Sequence, residues 1–314
     1  MAFADLKNDF VFRRIFATHP DILRSLLNDL LERTGDRIIE AIEYLPSEQL
    51  PLVTGAKLSI LDVRCRDRAG TTFVVEMQLI HHPGFINRVV YNACKAYAGQ
   101  LKAGQWYDSL TDVVAISICD FEIWPDGEQE KQGLPAVPML SRWTMREHKS
   151  GNHGLWQVQY VFLELPKLPE REPDTGASQW AWLFVHAPEL TAVPADLPAP
   201  QREALELANQ AKFTPQELDA YQKVLDEIRQ VHAIAEARWT EGLAEGHKSG
   251  LAEGLAAGKV ASILAVLAAR SLPVSDAVRA RIEACRDSGT LDRWIARAAT
   301  APSAEEVVAP EKSA

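Results

Sequence analysis

The sequence predicts an α/β fold, a mixed central sheet flanked by helices, with a helical carboxyl-terminal region. Three observations predict it. Two apolar strands joined by a glycine-containing turn occupy residues 60–78, and a helix and a near-continuous apolar run follow. That order of strand, strand, helix, strand belongs to an α/β core with a mixed sheet. From about Ala199 the pattern becomes helical and runs into a tetrapeptide glycine repeat. A chain of 314 residues can hold both parts, a first domain over 1–190 and a helical region over 199–300.

The first element is a helix in LKNDFVFRRIF. Phe12 and Phe16 stand four apart with Ile15 beside them, which gives one apolar, core-directed face. Asp9 precedes that face by three residues, where the helix dipole favours an acid. Arg13 and Arg14 suit either a phosphate or a solvated face.

The run ILDVRCRDRAGTTFVVEMQ, Ile60 to Gln78, carries the chemistry. Asp62 sits among apolar residues of one strand, and Glu76 and Gln78 sit on the next. Side chains alternate along a strand, so Glu76 and Gln78 share one face while Val75, Met77 and Leu79 take the other. A loop of about five residues, Asp67 to Thr71, sets Asp62 directly opposite Glu76. Opposed residues lie about 4.5 to 5.5 Å apart, within reach of one cation, and a one-residue slip would dissolve the site. Burying a polar group among apolar side chains costs roughly 2 to 7 kcal/mol without compensation. A divalent ion would supply that compensation; the alternative is a surface hairpin whose polar face carries acids.

His81-His82-Pro83-Gly84 makes a loop, and a helix follows from about Phe85 to Lys102, closed by Gly104. Two neighbouring histidines in a loop seldom reach one ion. Asp112 to Phe121 has the length and apolarity of a strand buried on both faces. Residues 125–153, with three glycines and three prolines, read as a loop-rich surface insertion, and Leu155 to Leu165 as the last strand. Cys65, Cys94, Cys119 and Cys285 are widely separated within apolar segments, which fits neither a zinc knuckle nor a disulfide frame.

In the second part, Thr214-Pro215-Gln216-Glu217 is a capping box with proline at the first helical position. Gly242, Gly246, Gly250, Gly254 and Gly258 recur every four residues. Four residues advance a helix by about 400°, so the row drifts only about 40° per repeat. Each glycine costs about 0.8 to 1.0 kcal/mol relative to alanine, and close approach of a second helix would offset that cost. Homo-oligomerisation through these helices is therefore expected, with a flexible charged linker as the alternative. A helical segment from about Ser275 to Thr300, broken at Ser288-Gly289, precedes a tail over 301–314 expected to be disordered.

The formal charge of −10 repels a polyanion at long range, but the deficit is uneven. Residues 1–125 hold 13 Lys and Arg against 16 Asp and Glu, a balance of −3. Any affinity for a polyanion is expected to be weak and salt-sensitive unless oligomerisation or a partner supplies more contacts. No stretch reads as a membrane span and the start MAFADLKNDF lacks a signal pattern, so a cytoplasmic location without membrane association is expected.

LKNDFVFRRIF, KLSILDVRCRD, FVVEMQ, INRVVYNACKAYAGQLKAGQWY, VVAISICDF and FLELPK together resemble the PD-(D/E)XK nuclease superfamily, in particular the recombination-promoting nuclease and putative transposase family. The resemblance spans roughly residues 5 to 300. It implies a restriction-endonuclease-like core, DNA as partner, and a Mg²⁺- or Mn²⁺-dependent endonuclease. It also implies Asp62 and Glu76 as metal ligands and Gln78 at the third motif position, orienting water. Asp9 matches an acid near the metal, and Arg88 and Tyr91 match positions close to the cleft. The sequence departs from the pattern twice: Leu61 stands where proline precedes the first acid, and Gln78 stands where lysine is usual. A neutral amide orients water but supplies no charge, so more of the burden falls on the metal; Lys57, Lys95 or Lys102 could supply a displaced cation, each being otherwise a solvated surface charge. A nuclease-like protein with weak or absent catalysis that acts through assembly is the alternative. Strand transfer by a transposase would need an end-recognising element that these residues do not show.

Overall fold

Helix α1 (Asp9–Phe16) begins where the Asn8 side chain accepts the Phe10 N–H at 3.1 Å, and it buries Val11, Phe12, Ile15 and Phe16. Helix α2 (Pro20–Leu30) opens on a proline and buries five apolar residues. The computed structural model describes residues 2–49, 59–102 and 104–310. Two units divide the chain, Met1–Glu227 and Ile228–Ala314.

Strands β1 (Ile42–Tyr44), β2 (Glu48–Gln49), β3 (Ser59–Ile60), β4 (Val63–Asp67) and β5 (Thr72–Gln78) follow. Helix α3 (Phe85–Ala98) then leads to β6 (Val113–Cys119), the short helix α4 (Asp126–Lys131), β7 (Leu140–Arg146) and β8 (His153–Glu164). A six-stranded sheet has the order β1-β4-β5-β6-β8-β7, while β2 and β3 form a separate pair. β5, β6 and β8 run parallel in the middle, and β1, β4 and β7 are antiparallel to their neighbours. The predicted mixed sheet is present.

Alternation along the central strands decides which helices cover which face. Phe73, Val75, Met77, Val114, Ile116, Ile118, Val161 and Leu163 pack with α1, α2, α5 (Gly176–His186) and α6 (Ala199–Leu207). Val74, Val113, Ala115 and Phe162 pack with Phe85, Val89, Ala93 and Ala96 of α3. β6 is buried along its whole length, as the apolar run predicts. Full burial of a large apolar side chain is worth about 1.5 to 3 kcal/mol, and Trp180, at 5.7 Å from the Phe16 ring, anchors the larger core.

Several expectations need correction. Residues 125–153 are loop-rich but not only loop: α4 and β7 lie there, and β7 pairs with β8 from Leu140↔Leu163 onward. Proline and glycine punctuate their ends and hide both from a pattern reading. Helix α3 stops at Ala98, capped by Gly99, well before Lys102 and Gly104. Helix α6 and the start of α7 (Pro215–Ala269) share the first unit's core through Ala204, Leu205 and Tyr221, so that unit extends past 190 to Glu227. Cys94 is exposed and Cys285 half-buried, whereas Cys65 and Cys119 are buried.

In the second unit, Ala256, Ile263 and Leu267 of α7 make one core with α8 (Asp276–Ala284), α9 (Ser288–Thr300) and α10 (Ala304–Val308). Asp287 caps α9, so the helix break falls at 285–287, just before the expected Ser288-Gly289. The expected disordered tail contains α10, whose Ala304 and Val307 are fully buried; residues 311–314 lie outside the described ones. The membrane expectation also changes. Helix α7 contains an 18-residue stretch apolar enough, by length and composition, to cross a membrane. Ala256, Ile263 and Leu267 are buried in the helical core, while Leu251 and Leu255 of the same helix are exposed and only 22 % of the apolar stretch is buried.

Candidate active site

The hairpin has the predicted register. Val63 pairs with Val75 and Arg66 with Thr72, and the turn closes through Thr71 N–H to Asp67 Oδ1 at 2.9 Å. Gly70 has φ +92, and a Cβ there would stand 2.7 Å from Thr111 Cγ2, so the turn requires glycine.

Asp62 departs from expectation. It lies at a bend between β3 and β4, not within a strand. Leu61 belongs to the α3-side core and Val63 to the α1-side core. Residues two apart in a continuous strand share a face, so the chain must turn over at Asp62 to send them to opposite sides. The carboxylate completes the turn, Oδ2 accepting the Met77 N–H at 2.9 Å. Oδ1 accepts from Arg13 at 2.9 Å. Extending the register by one residue still sets Asp62 beside Glu76.

Glu76 points to the α3 face and is 6 % exposed. Its Oε1 accepts from Asn92 Nδ2 at 2.9 Å; Oε2 is buried with no hydrogen-bond partner among the described residues. The Arg88 guanidinium stands 3.8 Å from Oε2. Burial pushes the Glu76 pKa up, Arg88 pulls it back, Asp62 adds to the rise, and the Asn92 bond opposes it.

Asp9 joins this group from the first turn of α1. Arg13 lies 3.3 Å from Asp9 while bonding Asp62, so one guanidinium bridges the two acids. Burial first and Asp62 second push Asp9 up to about 6. Asp9, Asp62 and Glu76 thus form a chain of mutually unfavourable negative charges. Among the described residues, no group of three or more His, Cys, Asp or Glu is arranged as a metal cage.

Gln78 donates from Nε2 to the Met77 carbonyl at 2.8 Å and accepts from Arg88 at Oε1. Both ends of the amide are engaged. Tyr91 is half-exposed one turn beyond Arg88, with Lys95 Nζ 5.8 Å from its ring centroid. Lys95 itself is buried, Lys102 is exposed in the loop before β6, and Lys57 lies outside the described residues. Arg14 turns away to Glu217 and to the Phe213 ring at 4.8 Å. His81 rests edge-on against Phe121.

Two polar residues with no strong sequence signal matter here. Asn92 is buried and holds Glu76; its only mark in the sequence is the four-residue spacing from Arg88, which puts both on one helix face. Glu164, in FLELPK, is fully buried and accepts the N–H groups of Ile123 and Trp124 at 2.6 and 3.2 Å. Lys167 lies 3.4 Å from it and donates to the carbonyls of Trp124 and Val137. This pair fastens the loop after β6. Phe121 of that loop packs edge-on against Phe85 at the start of α3, which carries Arg88 and Asn92.

A family model described as PD-(D/E)XK nuclease family transposase matches residues 6–236, covering every site residue above. The chain belongs to that family. As a PD-(D/E)XK family protein it has a restriction-endonuclease-like α/β fold, and its role is nuclease- or transposase-related. Comparison with curated proteins and with solved structures gave no match.

Proposed function

We propose that this PD-(D/E)XK family protein is a DNA endonuclease that hydrolyses phosphodiester bonds with one divalent cation held by Asp62 and Glu76. The observation that carries this reading is the buried Oε2 of Glu76, which has no hydrogen-bond donor among the described residues and only the Arg88 guanidinium at 3.8 Å, beside the Asp62 carboxylate. A buried acceptor without a donor costs about 1 to 3 kcal/mol, more when charged. The donor set also fits: hard carboxylate oxygens suit Mg²⁺ or Mn²⁺, and Mg²⁺ commonly takes one or two carboxylates and keeps several waters. No third protein acid is then needed.

When bound, the cation polarises the phosphoryl oxygen and makes hydroxide accessible near neutral pH. The protein's own groups do the positioning. Met77 N–H fixes Asp62, and Asn92 fixes Glu76. In the hydrolysis, water oxygen bonds to phosphorus, the phosphorus–sugar oxygen bond breaks, and the departing sugar oxygen takes the proton. Arg13 is half-exposed and bound to Asp62, so it can exchange that partner for a substrate phosphate.

The test is nicking of supercoiled plasmid in Mg²⁺ by the full chain and by Asp62→Ala and Glu76→Ala. Loss of at least 100-fold in both variants is expected. Unchanged nicking in either refutes the assignment. The second reading, assembly without strong catalysis, has its support in α7, where Trp239, Leu243, Leu251 and Leu255 are 57–74 % exposed. Cation binding without cleavage would favour it.

A further inference from the structure

We infer that Arg88 supplies the cationic charge that Gln78 cannot, and that Gln78 acts as its positioning residue and not as a water-orienting group. The inference rests on the nuclease reading above and deepens it. The third motif position lies two residues after Glu76 on the same strand face, so whatever stands there shares the α3 side with that carboxylate. An amide at this place offers one acceptor and two donor hydrogens. Its Oε1 accepts from Arg88 and its Nε2 donates to the Met77 carbonyl, which orients the acceptor toward α3.

Arg88 stands on the first turns of α3, and its guanidinium lies 5.7 Å from the Phe85 ring centroid. One terminal nitrogen is shared between Gln78 and the approach to Glu76 Oε2 at 3.8 Å. The group carries five N–H donors in a planar fork, of which the bond to Gln78 uses one. The side chain is 46 % exposed, against 8 % for Glu76, so the fork reaches from the buried acid toward solvent. A planar fork suits the equatorial oxygens of a phosphate in displacement. A positive group in this place stands between the buried Glu76 and solvent, the side from which a phosphate would have to approach. Lys95, the rival on the same helix, is buried beside Tyr91, and Lys102 is exposed on the loop that follows α3.

Charge position makes the inference testable. The full chain is assayed for Mg²⁺-dependent plasmid cleavage under single-turnover conditions, with Mn²⁺ affinity by calorimetry and the melting temperature measured on each variant. Arg88→Ala should lose about 100-fold in rate, the scale for removing one transition-state donor. Its Mn²⁺ affinity should be unchanged or tighter, because a competing cation beside Glu76 has gone. Arg88→Lys keeps the charge without the fork and should lose about tenfold. Gln78→Lys in the Arg88→Ala background moves an ammonium to the third motif position and should recover at least tenfold over Arg88→Ala.

Three results would overturn the inference: Arg88→Ala cleaving within threefold of wild type, Mn²⁺ affinity falling with the rate, or Gln78→Lys failing to rescue a folded double variant. A failure of the nuclease reading looks different. In that case wild type shows no Mg²⁺-dependent cleavage, or Glu76→Gln retains it.

Discussion

Asn92 is one side chain whose loss should be felt at the metal. It touches no substrate in the proposed site, yet it decides which Glu76 oxygen is left over. Removing a group that orients a metal ligand typically costs 10- to 100-fold in affinity. Asn92→Ala should therefore weaken Mn²⁺ binding about tenfold by calorimetry; an unchanged affinity with a lower melting temperature would make Asn92 a packing residue only. Asp9 makes a prediction about pH. Its folded pKa, about 6, lies above the unfolded value near 3.9, so the folded state holds the proton more tightly. Its stabilising contribution is full below about pH 4 and is lost as pH rises through about 6. Glu76 shifts in the same direction. The metal-free melting temperature should thus fall from pH 4 to pH 7, and Asp9→Asn should partly flatten that fall; parallel profiles would refute it. The opposition of Asp62 and Glu76 was legible because a glycine turn and a period of two fix a register. The bend at Asp62 was not, since it arises from Leu61 and Val63 entering different cores, a tertiary fact.

Elements with one repeating signal were readable, and elements with mixed signals were not. β6 is apolar on every residue and sits in the sheet centre, as its pattern requires. Helix α5 carries GASQWAWLFVH, apolar nearly all round and so without an amphipathic stripe to mark it. β7 and α4 were hidden by the prolines and glycines between them. The loop after β6 shows how a buried polar pair sets element position. Glu164→Leu would leave the Ile123 and Trp124 N–H groups without their acceptor and the Lys167 ammonium, still bonded to two carbonyls, without its buried carboxylate. Breaking one partner of a buried ion pair costs about 3 to 5 kcal/mol. Urea denaturation should show a loss of that size for Glu164→Leu and a smaller one for Glu164→Gln, which keeps an acceptor oxygen. Equal, small losses would show that the loop holds without the pair.

At the scale of the whole molecule, a charge of −10 and the proposed DNA substrate have to coexist. Binding to the proposed DNA substrate should weaken as salt rises, because each neutralised phosphate contributes about −0.9 to the slope of log K against log salt. The glycine repeat belongs to this scale as well. A Cβ on any of Gly242, Gly246, Gly250, Gly254 or Gly258 would meet nothing within 4 Å, so nothing in the described chain uses the close approach those glycines permit. Self-association through Leu243, Leu251 and Leu255 remains our proposal for that face. Sedimentation equilibrium should show an oligomer for the full chain and a monomer for Leu251→Glu; a monomeric wild type would refute it. The central claim is narrower than any of these: Asp62 and Glu76 converge on one divalent cation. Calorimetric titration of Mn²⁺ into the full chain tests it most directly. One ion per chain in the wild type, lost in both Asp62→Asn and Glu76→Gln while the fold is kept, is the expected result; binding that survives either substitution would contradict it.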